Sequence, residues 1–320
     1  MRRRLLLGAS LGWGLGPAAA AASARDWEQH AALKHGAPAT SRVRASEDFV
    51  VCFDYRTRNP AWVVERLTAA TLGAAAGGGR AGESFREAAD VPARLRSRLA
   101  HYRNSGLDRG HLAPAADHRG RVRDTFALDN VSPQVGAGFN RDAWARLEQF
   151  CRDATGACDA VYVVTGPLYL PGARDGGGLR MAHRVLGDPP AVTHVPTHFF
   201  KVVLAESAAG APRYGVGCFV LPNADLGGDV DLRDYAVDLA SLEAAAGLLP
   251  FGDLLTPRRR AALVAAEDRW LRGRGDVLAG EAAADHDAAH VRTRDRAADT
   301  GHLLDVVPQT GLRPRRRKPP

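Results

Sequence analysis

The spacing of its β-prone runs most restricts what this chain can fold into. "FVVCFDYRTR" (Phe49 to Arg58), "WVVERL" (Trp62 to Leu67), "DAVYVVTG" (Asp159 to Gly166), "VTHVPTHFFKVVLA" (Val192 to Ala205) and "YGVGCFVLP" (Tyr214 to Pro222) are rich in Val, Phe, Tyr and Thr. The first two read as a hairpin that turns at the intervening "NP". A helix is expected from Phe139 to Asp153, where Trp144, Leu147 and Cys151 recur at spacings of three and four. A second is expected around Asp238 to Leu248, closed by Gly247. Strands and helices mix without regular βαβ alternation. This predicts an α+β protein with a mixed or antiparallel central sheet flanked by helices, not a doubly wound parallel sheet.

The chain has 320 residues, of which 45% are hydrophobic and 25% charged, enough for a substantial core. Residues 1–45 read as an N-terminal targeting segment and a polar linker, residues 46–256 as the folded domain, and residues 257–320 as an extension. The start, "MRRRLLLGASLGWGLGPAAAAASARDW", joins a triple Arg to a short apolar run broken by Gly and Pro17, with no acid before Asp26. That pattern is an address and not a membrane span, and it fits either a secretory signal or an organellar presequence. "GAAAGGGRAG" (Gly73 to Gly82) reads as a flexible loop. In the extension, Thr256 and Pro257 can open a helix to about Trp270, followed by a largely disordered, basic tail. Within that tail His286 and His290 have metal-compatible spacing, but no further ligand accompanies them; the same holds for His194 and His198. Cys52, Cys151, Cys158 and Cys218 form no CxxC pair, which argues against a zinc ribbon or a disulfide scaffold.

The net charge of +7 suggests a polyanionic partner, but its distribution matters more than its sum. Arg2, Arg3, Arg4 and Arg25 supply +4 at one end, and the tail "RPRRRKPP" supplies +5 at the other. Residues 26–312 therefore carry a net −2. A local excess survives between Arg86 and Arg123, where nine Arg face four acids. Arginine suits bidentate phosphate contact.

That basic region contains "SGLDRGHLAPAADH" (Ser105 to His118), fourteen residues with two His, two Asp and an Arg and no apolar periodicity. Such a segment is either a plain surface loop or a site. Asn130 in "LDNVSPQ", Asn140 at the expected helix start and Glu148 two turns further on weigh toward a site. His111 can serve as a base near neutral pH, since an unperturbed imidazole titrates at about 6.5. An Asn oxygen suits magnesium, which takes one or two protein oxygens and keeps water and phosphate for the rest. Eight helical positions put the Asn140 and Glu148 Cα atoms roughly 12 Å apart on nearly one face. Glu148 would then act through a water. Asn140 also fits a helix N-cap, so both readings of that residue stand at this point.

In these motifs the chain resembles the DNA/RNA non-specific endonucleases of the ββα-metal type. The resemblance covers residues 34–250 in order, through "KHGAP", "VVCFDYRTR", "SFRE", "SGLDRGHLAPAADHR", "DTFALDNVSPQV", "FNRDAWARLEQ", "VYVVTGPLYLP" and "VPTHFFKVVL". It implies His111 as general base, Asn140 as ligand of Mg²⁺ (with Mn²⁺ substituting), Glu148 as its water-mediated support and Asn130 as a positioning residue. Arg109 and Arg86 match family arginines near the scissile phosphate. It also implies a ββα-metal finger, DNA and RNA as substrates, no stable membrane insertion, and a homodimer of the mitochondrial intermembrane space. The presequence reading of the N-terminus thereby gains over secretion. An exo/endonuclease branch of the same family, with a C-terminal addition, and a catalytically silent nucleic-acid-binding protein are the alternatives. Intact His111, Asn130, Asn140 and Glu148 weigh against the silent one, because binding alone needs none of them.

Overall fold

A computed structural model describes residues 30–74, 82–172, 174–175, 178–207, 213–227 and 230–255. The targeting segment, the core of the "GAAAGGGRAG" loop, the helix expected after Thr256 and the His286/His290 pair lie outside the described residues. The chain divides into two units, residues 1–40 and 41–320. Among the described residues of the first, a 3₁₀ turn at Ala31–Leu33 is capped by the His30 imidazole, which accepts from Ala32 N.

The second unit begins with β1 (Ser41–Ala45), β2 (Phe49–Asp54) and β3 (Asn59–Leu67), which pair as an antiparallel meander. The end of the expected linker is thus an edge strand. The hairpin turn lies at Tyr55–Arg58 and not at Asn59–Pro60, which open β3. Asp54 causes the early turn: its carboxylate accepts from the Arg56 and Thr57 amides at 3.1 and 3.0 Å.

Next come β4 (Asp108–His111) and β5 (Val131–Gln134), a separate antiparallel pair. The helix α1 (Trp144–Ala154) comes after them, preceded by an irregular turn over Gly136–Ala143. The chain re-enters the main sheet as β6 (Ala160–Leu168). Two small hairpins come next: β7 (Arg174–Asp175) with β8 (Gly178–Leu179), and β9 (Val185–Leu186) with β10 (Thr193–His194). Strands β11 (His198–Ser207), β12 (Arg213–Pro222) and β13 (Ala236–Val237) complete the sheet, and α2 (Leu239–Ala246) ends the described fold. The "VTHVPTHFFKVVLA" run is therefore two strands, broken at Val195–Pro196, where proline has no N–H for a ladder. Helix α2 agrees with expectation, with Asp238 accepting from Ser241 N and Gly247 in the left-handed conformation past its end.

The main sheet has seven strands in the order β1-β2-β3-β6-β11-β12-β13, all pairs antiparallel, which makes the fold α+β as expected. Period-two alternation divides each central strand between two cores. Phe49, Val51, Val63, Val161, Val163, Phe199 and Val203 pack against Trp144, Leu147 and Cys151 of α1. On the opposite face, Val164, Phe200, Val202, Val216 and Cys218 pack against Leu239 and Leu242 of α2. Cys52 and Cys218 are buried strand residues, and none of the four cysteines is in a disulfide. The β4–β5 pair and α1 thus lie over the first face.

Candidate active site

The DRGH motif is a strand and not a loop. Asp108 to His111 pair residue by residue with Gln134 to Val131. The sequence hid this because the motif has neither β-branched residues nor alternation; the pairing comes from a partner some twenty residues away. Gly110 is required here, since a Cβ would lie 1.8 Å from Oε1 of the fully buried Gln134. Its role is to admit the Gln134 side chain. Gly110→Ala is expected to cost about 1–3 kcal/mol by overpacking, read as a lower denaturation midpoint; an unchanged midpoint would refute this contact.

His111 ends the strand. Its ring is buried between Phe85 and Phe126, with centroids at 5.1 and 4.9 Å. Asn130 pins the backbone just past His111: its Oδ1 accepts from Ala113 N at 2.9 Å while Nδ2 donates to Ala113 O and Thr125 O, each at 3.0 Å. With these hydrogen bonds directed into the protein, Asn130 positions the His111 segment and does not line the cleft.

The first turn of the helix carries the other half of the site. Gly138 has φ +77 and is not helical, so the helical turns begin at Phe139, and Gly138 N donates to the Asp142 carboxylate at 2.6 Å. Asn140 is therefore inside the first turn, and its reading as N-cap is corrected. Its Nδ2 donates to Asp108 Oδ2 at 2.9 Å, which orients the amide and leaves Oδ1 as the group offered to the cleft. Asp108 also accepts from Arg141 at 2.9 and 2.7 Å. Burial raises the Asp108 pKa, but these bonds and the Arg141 and Arg109 charges outweigh it and hold the carboxyl below its ordinary value.

His111, Asn140, Glu148 and Arg109 line one cavity of about 530 Å³. Arg109 and Asn140 also line an adjoining cavity of about 1150 Å³, together with Phe85 and Arg103. The Arg109 guanidinium sits 4.7 Å from the centroid of Phe85, a residue for which the sequence offered no signal beyond the "SFRE" match. Arg86 lies apart: its side chain donates to Arg123 O and stands 3.8 Å from Asp124, and it lines neither cavity. Part of the local arginine excess is likewise structural. Arg96 and Arg98 donate to the carbonyls of Val91, Ala89 and Ala93 in their own loop. Of the cluster, Arg103, Arg109 and Arg119 face the clefts.

Glu148 stands at the inner wall. Burial pushes its pKa up to about 8 against the pull of the Lys201 and Arg152 charges, and the Asp117 and Glu65 carboxylates raise it further. A carboxyl with a raised folded-state pKa favours the fold when protonated, so that contribution is lost as pH climbs from 4.5 through about 8. With chelator present, Glu148→Gln should melt above the wild type at pH 9 and level with it at pH 4. A pH-independent difference would contradict the burial of this group.

A hairpin that ends in histidine, joined to a helix whose amide and carboxylate share its cleft, defines a nuclease of the ββα class. The match to known proteins is extensive: the chain belongs to the DNA/RNA non-specific endonuclease family, whose model matches residues 28–256. It is 42% identical over 225 residues to the "Mitochondrial nuclease" of Saccharomyces cerevisiae, covering 68% of each chain. It is 41% identical over 219 residues to "Endonuclease G, mitochondrial" of Homo sapiens, covering 68% of this chain and 71% of that one. A crystal structure of the EndoG/EndoGI complex aligns with a TM-score of 0.64 at 38% identity, over 71% of this chain and 91% of that chain. The protein is an endonuclease, a hydrolase of the endonuclease G type.

Proposed function

We propose that the protein is a magnesium-dependent, sugar-non-specific endonuclease that hydrolyses DNA and RNA to 5′-phosphate and 3′-hydroxyl ends. The convergence of His111, Asn140 and Glu148 on one cavity carries this reading. The residues fit a hard cation. Among the described residues no cluster of three His, Cys, Asp or Glu forms a metal set, so a cation here would take a single amide oxygen and complete its shell with water and phosphate. Asn140 Oδ1 would hold it, with Glu148 behind through a water; Mn²⁺, equally content with oxygen, would substitute. A cation held there would supply electrostatic stabilisation for the negative charge that develops as the phosphodiester breaks.

The chain's own groups do the rest. His111, its ring held by Phe85 and Phe126, removes a proton from the attacking water. Asn130 keeps the backbone after His111 in register. Arg109 stabilises charge on the phosphate in flight. Arg86 is assigned the same role, which requires its guanidinium to leave Arg123 O and Asp124.

The nuclease domain is taken as residues 46–256 together with the edge strand β1, after a targeting segment and linker and before an extension over residues 257–320. The mitochondrial names of the relatives support location in that organelle, and we extend this to the intermembrane space. No helix of the described residues is long and apolar enough to cross a membrane. We further propose a homodimer, and DNA degradation during cell death as one physiological use.

The test is digestion of matched single- and double-stranded DNA and RNA. Cleavage of all four with magnesium, lost on chelation and falling steeply as salt rises, is the expected result. Binding without cleavage would instead make the protein a nucleic-acid-binding homologue.

A further inference from the structure

Lys201 is only 1% exposed, in the middle of β11. Alternation places it in the row of Phe199 and Val203, on the face that carries α1. Neighbouring strands add polar groups to the same face. Thr165 of β6 pairs directly with Lys201, and Glu65 of β3 lies two residues beyond Val63, the partner of Thr165. Both are equally buried, Thr165 at 0% and Glu65 at 2%. An otherwise apolar sheet face therefore has a charged island directly beneath the site.

Burying a lysine among Phe199 and Trp144 is costly, and an apolar residue of similar volume would serve the fold at least as well. The contacts of Lys201 suggest another reason for it. Its Nζ donates to Thr165 Oγ1 at 2.8 Å and reaches the Leu112 carbonyl at 3.5 Å. It also lies 4.9 Å from the ring centroid of Trp144. Leu112 is the residue directly after His111, and Trp144 lies one helical turn before Glu148. One buried cation thus touches the backbone next to His111 and the helix that carries Glu148.

The other charges of the island are already paired. His118 Nε2 hydrogen-bonds Glu65 Oε2 at 2.8 Å, and Arg152 donates to Asp117 Oδ1 at 2.6 Å. The Glu65 bond and the carboxylate charges around it together outweigh burial and raise the His118 pKa, which accounts for the second histidine of the "SGLDRGHLAPAADH" stretch. Arg152 is thus tied to Asp117, and of the two cations that act on Glu148, Lys201 is the one bound to no carboxylate in this island.

We propose that Lys201 is a positioning residue for phosphodiester hydrolysis: its buried ammonium, held by Thr165, reaches the Leu112 carbonyl behind His111 and, lying against Trp144 one turn before Glu148, supplies positive charge to the part of α1 that carries Glu148. The proposal rests on the nuclease reading above. Among the charges acting on Glu148, that of Lys201 is the foremost one favouring the carboxylate; Arg152 of α1 assists, while Asp117 and Glu65 oppose. Cys151 of α1, buried in the core, feels the charges of Lys201, Glu65 and Asp117 as well.

The test compares Lys201→Met and Lys201→Gln with the wild type on one oligonucleotide substrate with magnesium. Lys201→Met should melt within a few degrees of the wild type, lose at least about tenfold in kcat and change KM less than about threefold. The acid limb of its pH–rate profile should move to higher pH, because Glu148 has lost its favouring cation. Lys201→Gln keeps a donor for Leu112 O without the charge and should fall between the two. In a Glu148→Gln background, Lys201→Met should cost less than about threefold. Wild-type kcat in folded Lys201→Met, a loss confined to KM, or an equal loss in the Glu148→Gln background would each overturn the proposal. So would misfolding of both variants, which would assign Lys201 to the fold alone. Failure of the wild type to cleave would overturn the nuclease reading instead, so the two outcomes are distinguishable.

Discussion

His111→Ala is expected to lower kcat by about 10² to 10⁴, the range over which a positioned general base contributes. The substitution also empties space between Phe85 and Phe126, so a modest fall in melting temperature accompanies it. His111→Asn separates the two effects, because it refills part of that space with a polar side chain that cannot take the proton. Plasmid nicking by the folded variants near the wild-type rate would remove His111 from its role as base. Substrate affinity should hardly change, since the backbone of β4, the Asn130 clamp and Arg109 all stay in place.

Asn140→Ala should abolish magnesium-dependent cleavage to a comparable extent. Charge stabilisation worth several kcal/mol corresponds to about 10² to 10³ in rate. The structure makes this test cleaner than the sequence did. With the helix starting at Phe139 and the Gly138 amide bonded to Asp142, removing the Asn140 side chain costs no cap, only its bond to Asp108, which keeps both bonds from Arg141. The melting temperature of metal-free Asn140→Ala should therefore stay near that of the wild type, and Asn140→Ser should be as inactive as Asn140→Ala. Retained cleavage in either variant at ordinary magnesium would show that the cation does not depend on this amide.

Much of the fold was legible because it is local. Val, Phe and Tyr runs located the strands that became β2, β3, β6, β11 and β12, and the recurrence of Trp144, Leu147 and Cys151 located α1. The misreadings lie where distant partners override local preference. The DRGH motif is a strand only because Val131 to Gln134 pair with it, and the hairpin turns early because Asp54 captures two amides. Asn140 looked like a cap because Asn is a good one; Gly138, at φ +77, starts the helix instead.

The same division holds for the site. Residue type and order picked out His111, Asn140, Glu148 and Arg109, since the chemistry of a base, an amide oxygen, a carboxylate and a phosphate contact is carried by side-chain identity. Those four meet at one cavity. Arg86 shows the limit: identity gave it a place near the phosphate, and tertiary contacts turn it toward Asp124.

The sequence by itself determined the strand-forming runs, the main helices and the chemical inventory of the site, because each is written in neighbouring residues. Only the tertiary structure decided what lies beneath that site. The polar residues Glu65 of "WVVERL", Thr165 of "YVVTG" and Lys201 of "FFKVVL" look like interruptions of apolar strands; sheet register and side-chain alternation bring all three to one buried face. Strand pairing is set by contacts between segments far apart in the chain, and no local pattern encodes it.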